Sequence, residues 1–124
     1  MEQKFTQKSI EAISEAHNFA IRYKSPDIKA EHLLLALVGQ MNGLIPNILN
    51  KMGINTVNLT SKLEAKLNGM PKIEGGTSEL RPNAEFNRVL VHAEDYAKKM
   101  NDSYISTEHL FLSSFDNNSF LKDN

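Results

Sequence analysis

The chain has 124 residues, 14 Lys and Arg against 15 Asp and Glu, no Cys, no Trp and a hydrophobic share of 40%. That length supports one domain with its own core and is too short for two ordinary domains and a linker. A net charge of -1 with both signs interspersed gives no basic face for nucleic acid or anionic membrane, and without cysteine there is no disulfide, thiol nucleophile, zinc ribbon or iron-sulfur cluster. The longest apolar run, Leu33 to Val38, has six residues against the roughly 20 that a bilayer crossing needs. The N-terminus has no apolar stretch resembling a signal peptide, so the expected location is the cytoplasm.

No long segment alternates apolar and polar residues, whereas helical spacing recurs throughout, which predicts an all-α fold. Thr6 is the expected N-cap of a first helix reaching about Lys24, with a stripe of Ile10, Ile13, Ala16, His17 and Ala20. Ser25-Pro26-Asp27 ends it. The second helix, about Ala30 to Gln40, is apolar nearly all round and belongs at the centre of the core. Pro46 suits the first turn of a third helix ending at Met52, with Gly53 beyond it. Asn55 or Thr56 begins a fourth helix whose Leu59, Leu63 and Leu67 stack at four-residue spacing before Gly69. Met70 to Pro82 reads as a linker. Asn83 caps a fifth helix to about Met100, with Phe86, Val89, Leu90, Ala93, Ala97 and Met100 on one stripe, and a sixth runs from about Ser106 to Phe115.

The chain repeats itself. A shift of 77 residues lays Ile28 to Val38, IKAEHLLLALV, over Ile105 to Phe115, ISTEHLFLSSF, and in the same register pairs Ile13 with Leu90, Ala16 with Ala93, Phe19 with Tyr96 and Ala20 with Ala97. Two helical repeats about a pseudo-twofold axis follow as the expected architecture: repeat one over residues 1–69, a linker over 70–82 and repeat two over 83–124. If repeat one closes at Gly69, repeat two should close near 146, so about 22 residues corresponding to the end of the third helix and the whole fourth are expected to be missing.

Few residues suggest chemistry. Glu31-His32 and Glu108-His109 contain metal-ligand types, but neighbours at i and i+1 diverge on a helix, and no HExxH spacing occurs. A carboxylate in the first turn, facing unpaired N–H groups, is the favoured reading. His17 and His92 lie within helices, no serine sits in a GxSxG context, and Gly75-Gly76 lacks the GK[ST] continuation of a phosphate loop. These readings predict no catalytic residues, no metal and no cofactor in this chain, and a seam between repeats able to hold a peptide or helix.

The segments FTQKSIEAISEA, the doubled EHLLLAL and EHLFLSS, the MGI turn at Met52 to Ile54, PKIEG and NDSYISTEHL together resemble the N-terminal repeat domain of Clp-type AAA+ ATPases, nearest the ClpB disaggregase branch. The resemblance spans essentially the whole chain. It implies a non-enzymatic module that recognises unfolded or aggregated polypeptide in a groove between the repeats. The ATPase modules, with their ATP and Mg, would lie beyond Asn124, in a protein that is hexameric at full length. The family's polar substrate-binding positions fall on Thr6, Asp102 and Glu108, and its apolar groove positions on Leu90, His92, Tyr96 and His109, the two histidines standing where relatives often have leucine. The alternative implied by ClpC- and ClpA-like relatives is an adaptor- or modified-arginine-binding domain using Glu31 and Glu108.

Overall fold

The computed structural model describes residues 4–73, 79–118 and 120. The six predicted helices are present: α1 (Gln7–Arg22), α2 (Ala30–Val38), α3 (Leu44–Lys51), α4 (Thr56–Asn68), α5 (Ala84–Lys99) and α6 (Thr107–Asn117). α1 and α5 begin 77 residues apart and end 77 apart, and α2 and α6 begin 77 apart. The predicted caps Thr6, Asn55 and Asn83 each accept a backbone N–H in the first turn, from Ser9, Asn58 and Phe86. The turn after α1 and the turn after α5 also match, with Lys24 and Asn101 in left-handed conformation at φ 54° and 59°.

Two short parallel strands, β1 (Lys4–Phe5) and β2 (Tyr104–Ile105), are an addition to the helical expectation, pairing Phe5 with Ile105. Two-residue strands are too short to leave a periodic signal. The twofold makes a second join: an isolated parallel bridge pairs Ile28 with Pro82. Thr6 N–H donates to the Ile105 carbonyl at 3.0 Å, and Asn83 N–H donates to the Ile28 carbonyl at 2.9 Å. Each repeat thus hands the start of its long helix to the other. The Ile28–Pro82 join and the bond from Ile73 N–H to the Lys24 carbonyl fix both ends of the linker. Gly75-Gly76 lies outside the described residues.

α2 is buried at every position, as its all-round apolar sequence predicts, and ends at Val38 rather than Gln40. α1 and α4 pack along it, with α3, α5 and α6 also in contact. The stripe expected on α1 holds for Ala16, Ala20 and the partly buried Ile13 but not for its other two residues. Ile10 is 49% exposed and His17 is exposed, while the buried face is Ser9, Ala12, Ala16 and Ala20. Small side chains at i, i+3 and i+4 spacing bring the α1 backbone close to α2, a gain in packing that hydropathy alone does not register. On α5 the expected Phe86, Val89, Ala93 and Ala97 are buried, Leu90 is half-buried, and Met100 is 48% exposed.

The doubled histidines close the N-termini of the two central helices. His32 Nδ1 accepts the Lys29 N–H and His109 Nδ1 accepts the Ser106 N–H, both at 2.8 Å, which places the proton of each neutral ring on Nε2. His109 donates that proton to Asp102 Oδ2 at 2.8 Å, whereas His32 Nε2 is buried with no partner among the described residues. Burial therefore lowers the His32 pKa from 6.5 to about 4, with the charge of Glu31 opposing the shift. Glu31 sits beside it. Burial alone would raise its carboxyl, but the Asn118 amide, its own helix N-terminus and Lys66 outweigh burial and hold it below the ordinary value.

Because the unfolded chain protonates His32 before the folded one does, its contribution is intact above pH 6.5 and falls away between pH 6.5 and about 4. The loss is on the order of 3 kcal/mol. Glu31, depressed in the folded state, adds a second loss below its unfolded value of 4.5. Urea midpoints measured from pH 7 to 4.5 should fall steadily in the parent chain, and His32→Gln should flatten that slope.

Candidate functional site

An apolar opening lies between the repeats, where α3 and the start of α4 face α6. It is a cavity of about 500 Å³ lined by Ile45, Ile48, Leu49, Met52, Ile54 and Leu59 on one side and by Glu108, Phe111, Leu112 and Phe115 on the other. α3 supplies its wall by a split in its apolar residues. Ile45 and Leu49, four residues apart, are buried in the core, while Ile48 and Met52, also four apart, are 38% and 66% exposed. On α6, Leu110, Ser113 and Ser114 turn inward, and Leu112 and Phe115 are 38% and 42% exposed. Glu108 is the one ionisable residue of the lining. The Ser106 hydroxyl donates to its Oε1 at 3.0 Å, at the positive end of α6.

The residues expected from sequence to form the site do not come together in one place. Thr6 is the N-cap of α1, and its hydroxyl donates to Ser9 Oγ at 3.0 Å, so it helps anchor α1 at the seam. Asp102 accepts from His109, and the buried His109, 1% exposed, offers no surface to a ligand because Nδ1 takes the Ser106 N–H at the cap and Nε2 is engaged by Asp102. Leu90 is half-buried against the core. His92 and Tyr96 line a smaller, polar cavity of about 270 Å³ with Asp95, Lys99 and Asp116. The Tyr96 hydroxyl donates to Asp116, a bond that raises the phenol pKa. Of the expected set, Glu108 alone stands in the apolar groove.

Glu31 is likewise closed to a cationic partner. It is 6% exposed, with Lys66 Nζ at 3.1 Å and the Asn118 amide donating to it at 2.9 Å. Among the described residues no group of three or more His, Asp or Glu side chains could hold a metal ion. No helix of the described residues is long and apolar enough to cross a membrane. The residues that sequence reasoning missed are Ile48, Met52, Leu112 and Phe115. All four are apolar, and neither capping signals nor the stripes of single helices mark them, because their exposure is decided by how α3 and α6 face each other.

The Clp repeat (R) N-terminal domain family matches residues 4–123. The chaperone protein ClpB of Clostridium tetani is 40% identical over 114 residues, covering 90% of this chain and 13% of that protein. ClpB of Nitratidesulfovibrio vulgaris is 39% identical over 111 residues, covering 87% of this chain and 13% of that protein. The chain therefore spans about an eighth of the length of these relatives. In fold it is similar to the Hsp104 N-terminal domain from Candida albicans, with a TM-score of 0.88 at 19% identity over 97% of this chain and 79% of that one. The N-terminal domain of ClpD from Arabidopsis thaliana superposes at a TM-score of 0.70 with 21% identity, covering 97% of this chain and 84% of that one.

The Asp102–His109 pair separates a structural role from a binding one. Asp102→Ala leaves a buried N–H without an acceptor and should cost about 1–2 kcal/mol in urea denaturation, while Asp102→Asn, which keeps an acceptor, should cost less.

Proposed function

Since the chain belongs to the Clp repeat (R) N-terminal domain family, we propose that it is the non-catalytic substrate-recognition module of a ClpB-like disaggregase, binding exposed apolar segments of unfolded or aggregated polypeptide between its two repeats. The observation that carries this reading is the cavity of about 500 Å³ between α3 and α6, walled by aliphatic and aromatic side chains with one carboxylate. Apolar side chains that packing within a domain would normally cover are here gathered on one concave surface, the pattern of a site that binds apolar chain. Such a lining selects for hydrophobicity and not for a particular sequence, which suits a module that must accept many clients.

The affinity of one groove is modest. A segment burying about 300 Å² of apolar surface gains on the order of 7 kcal/mol, and ordering costs reduce this to micromolar or weaker binding. In a cytoplasmic hexameric ring driven by ATP, several tethered copies would hold one client together and restore retention by raising the effective concentration. ATP and Mg belong to the ring's ATPase modules in this reading. An adaptor protein would compete for the same surface.

Titration of a labelled, permanently unfolded polypeptide into the 124-residue chain should show weak binding that persists at high salt, since apolar contacts are not screened. Ile48→Asp should weaken it about tenfold, the effect of losing one well-buried apolar contact and introducing a charge. Tyr96→Asp should change it little. The reverse ranking would move the site to the α5 face, and binding abolished by salt would favour the adaptor- or modified-arginine-binding reading.

A further inference from the structure

The 77-residue register pairs cavities as well as helices. His92, Tyr96 and Asp116 line the polar cavity of repeat two, and their counterparts Glu15, Phe19 and Gly39 line a cavity of about 360 Å³ in repeat one, between α1, α2 and the turn after α2. The two are built alike and finished differently. In repeat two the Tyr96 hydroxyl donates to Asp116, so a polar bond spans the cavity. In repeat one Phe19 has no hydroxyl and Gly39 no side chain, and that bond cannot form. What is left open is an apolar floor of Phe19, Leu35 and Ala36 with Met41, 84% exposed, beside it. This cavity shares no lining residue with the groove between α3 and α6.

The polar groups around that floor are acceptors. Glu11 and Glu15, one turn apart on α1, are its ionisable residues, and no Lys or Arg belongs to the lining. Lys8 stands 3.8 Å from Glu11 at the exposed surface, where an ion pair is worth little. Glu15 is half-buried, and its Oε1 accepts from the neutral Asn18 amide at 3.1 Å. Gln40, also in the lining, gives its amide N–H to the Lys8 carbonyl at 2.8 Å, while its buried Oε1 accepts from no partner among the described residues. The Phe19 ring is itself suited to a cation: the chain's own Arg22 guanidinium lies 5.7 Å from its centroid.

An aliphatic or aromatic floor beside carboxylates matches a side chain with a hydrocarbon stem and a cationic head, which among protein side chains means arginine or lysine. A purely apolar side chain would cover Glu15 without giving it a donor, and an anion would meet two carboxylates. We propose that this cavity is a second polypeptide site, which takes an arginine or lysine side chain of a partner polypeptide, its stem against Phe19, Leu35 and Met41 and its charged head at Glu15. The site differs from the groove in place, in charge preference and in salt response, so it stands or falls independently of the groove. Polypeptides that carry a basic residue beside an apolar one are then engaged by repeat one through charge as well as by hydrophobicity.

The probe is the tetrapeptide Gly-Leu-Arg-Gly, blocked at both ends, titrated into the 124-residue chain and followed by methyl and amide NMR. Saturable shifts are expected at Phe19, Leu35, Gly39 and Met41, weakening as salt is raised. The same peptide with citrulline in place of arginine keeps the shape and loses the charge, and it should bind about three- to fivefold more weakly. Glu15→Gln in the chain should bring the two peptides level, with the fold intact by circular dichroism. Gly39→Leu, at a φ of -95° open to any residue, puts a side chain where Asp116 stands in repeat two and should abolish binding of both peptides. Equal binding of the arginine and citrulline peptides to the parent chain would overturn the cationic occupant. Shifts confined to Ile48, Leu112 and Phe115 would place the peptide in the groove, which overturns the second site and leaves the groove reading standing. Absence of any shift at Phe19 and Met41 at the highest peptide concentration would overturn it too. Self-association of the chain that Glu15→Gln dissolves would assign the cavity to a second copy and overturn the partner polypeptide.

Discussion

A helix that is apolar on every side has to be enclosed by others, and α2, from Ala30 to Val38, is such a helix. Its nine buried residues need cover from several directions at once, and α1, α3, α4, α5 and α6 supply it. The same requirement applies to α6, which carries the same pattern with Ser113 and Ser114 in place of Ala36 and Leu37. α5 covers α6 as α1 covers α2, but α6 has no equivalent of α4 among the described residues. The apolar groove lies where α6 faces α3 and the start of α4.

The two repeats are joined crosswise through backbone. Phe5 pairs with Ile105 and Ile28 with Pro82, so each half supplies an edge to the other. The buried Ser9 hydroxyl donates to the Ile105 carbonyl at 2.9 Å and adds a side-chain tie to the first of these joins. Separating the repeats would break both joins, and the groove between α3 and α6 would be lost with them. The polar residues near the seam, Thr6, Asp102 and His109, act on this framework: they close helix ends and satisfy buried donors.

Much of the fold was legible in sequence because capping and breaking signals are local. Thr6, Asn55, Asn83, Pro46 and Gly53 each act on backbone within a turn of themselves, and each stands where the sequence predicts. The offset of 77 residues was legible because both repeats preserve the Glu-His-Leu core of the central helix. The buried face of α1 was legible in part: Ala16 and Ala20 are buried as expected, but Ser9 and Ala12 take the core in place of Ile10 and His17 by allowing close approach, which depends on the neighbouring helix. The role of His32 and His109 was hidden for a similar reason: a histidine in the third position of a helix can accept the N-cap N–H, but the choice between that and solvent is made in three dimensions. The candidate site was legible in part. Glu108 is in the groove, while His109 is buried and His92 and Tyr96 lie at a separate polar cavity with Asp116.

The central claim is that polypeptide engages the surface between α3 and α6. Methyl and amide NMR spectra of the 124-residue chain, recorded during titration with an unfolded polypeptide, locate that contact residue by residue. Perturbations that grow with ligand at Ile48, Met52, Ile54, Leu112 and Phe115, with His92 and Tyr96 unmoved, are the predicted result. Perturbations confined to His92, Tyr96 and Asp116, with the α3 and α6 methyl signals unchanged at saturation, would contradict it.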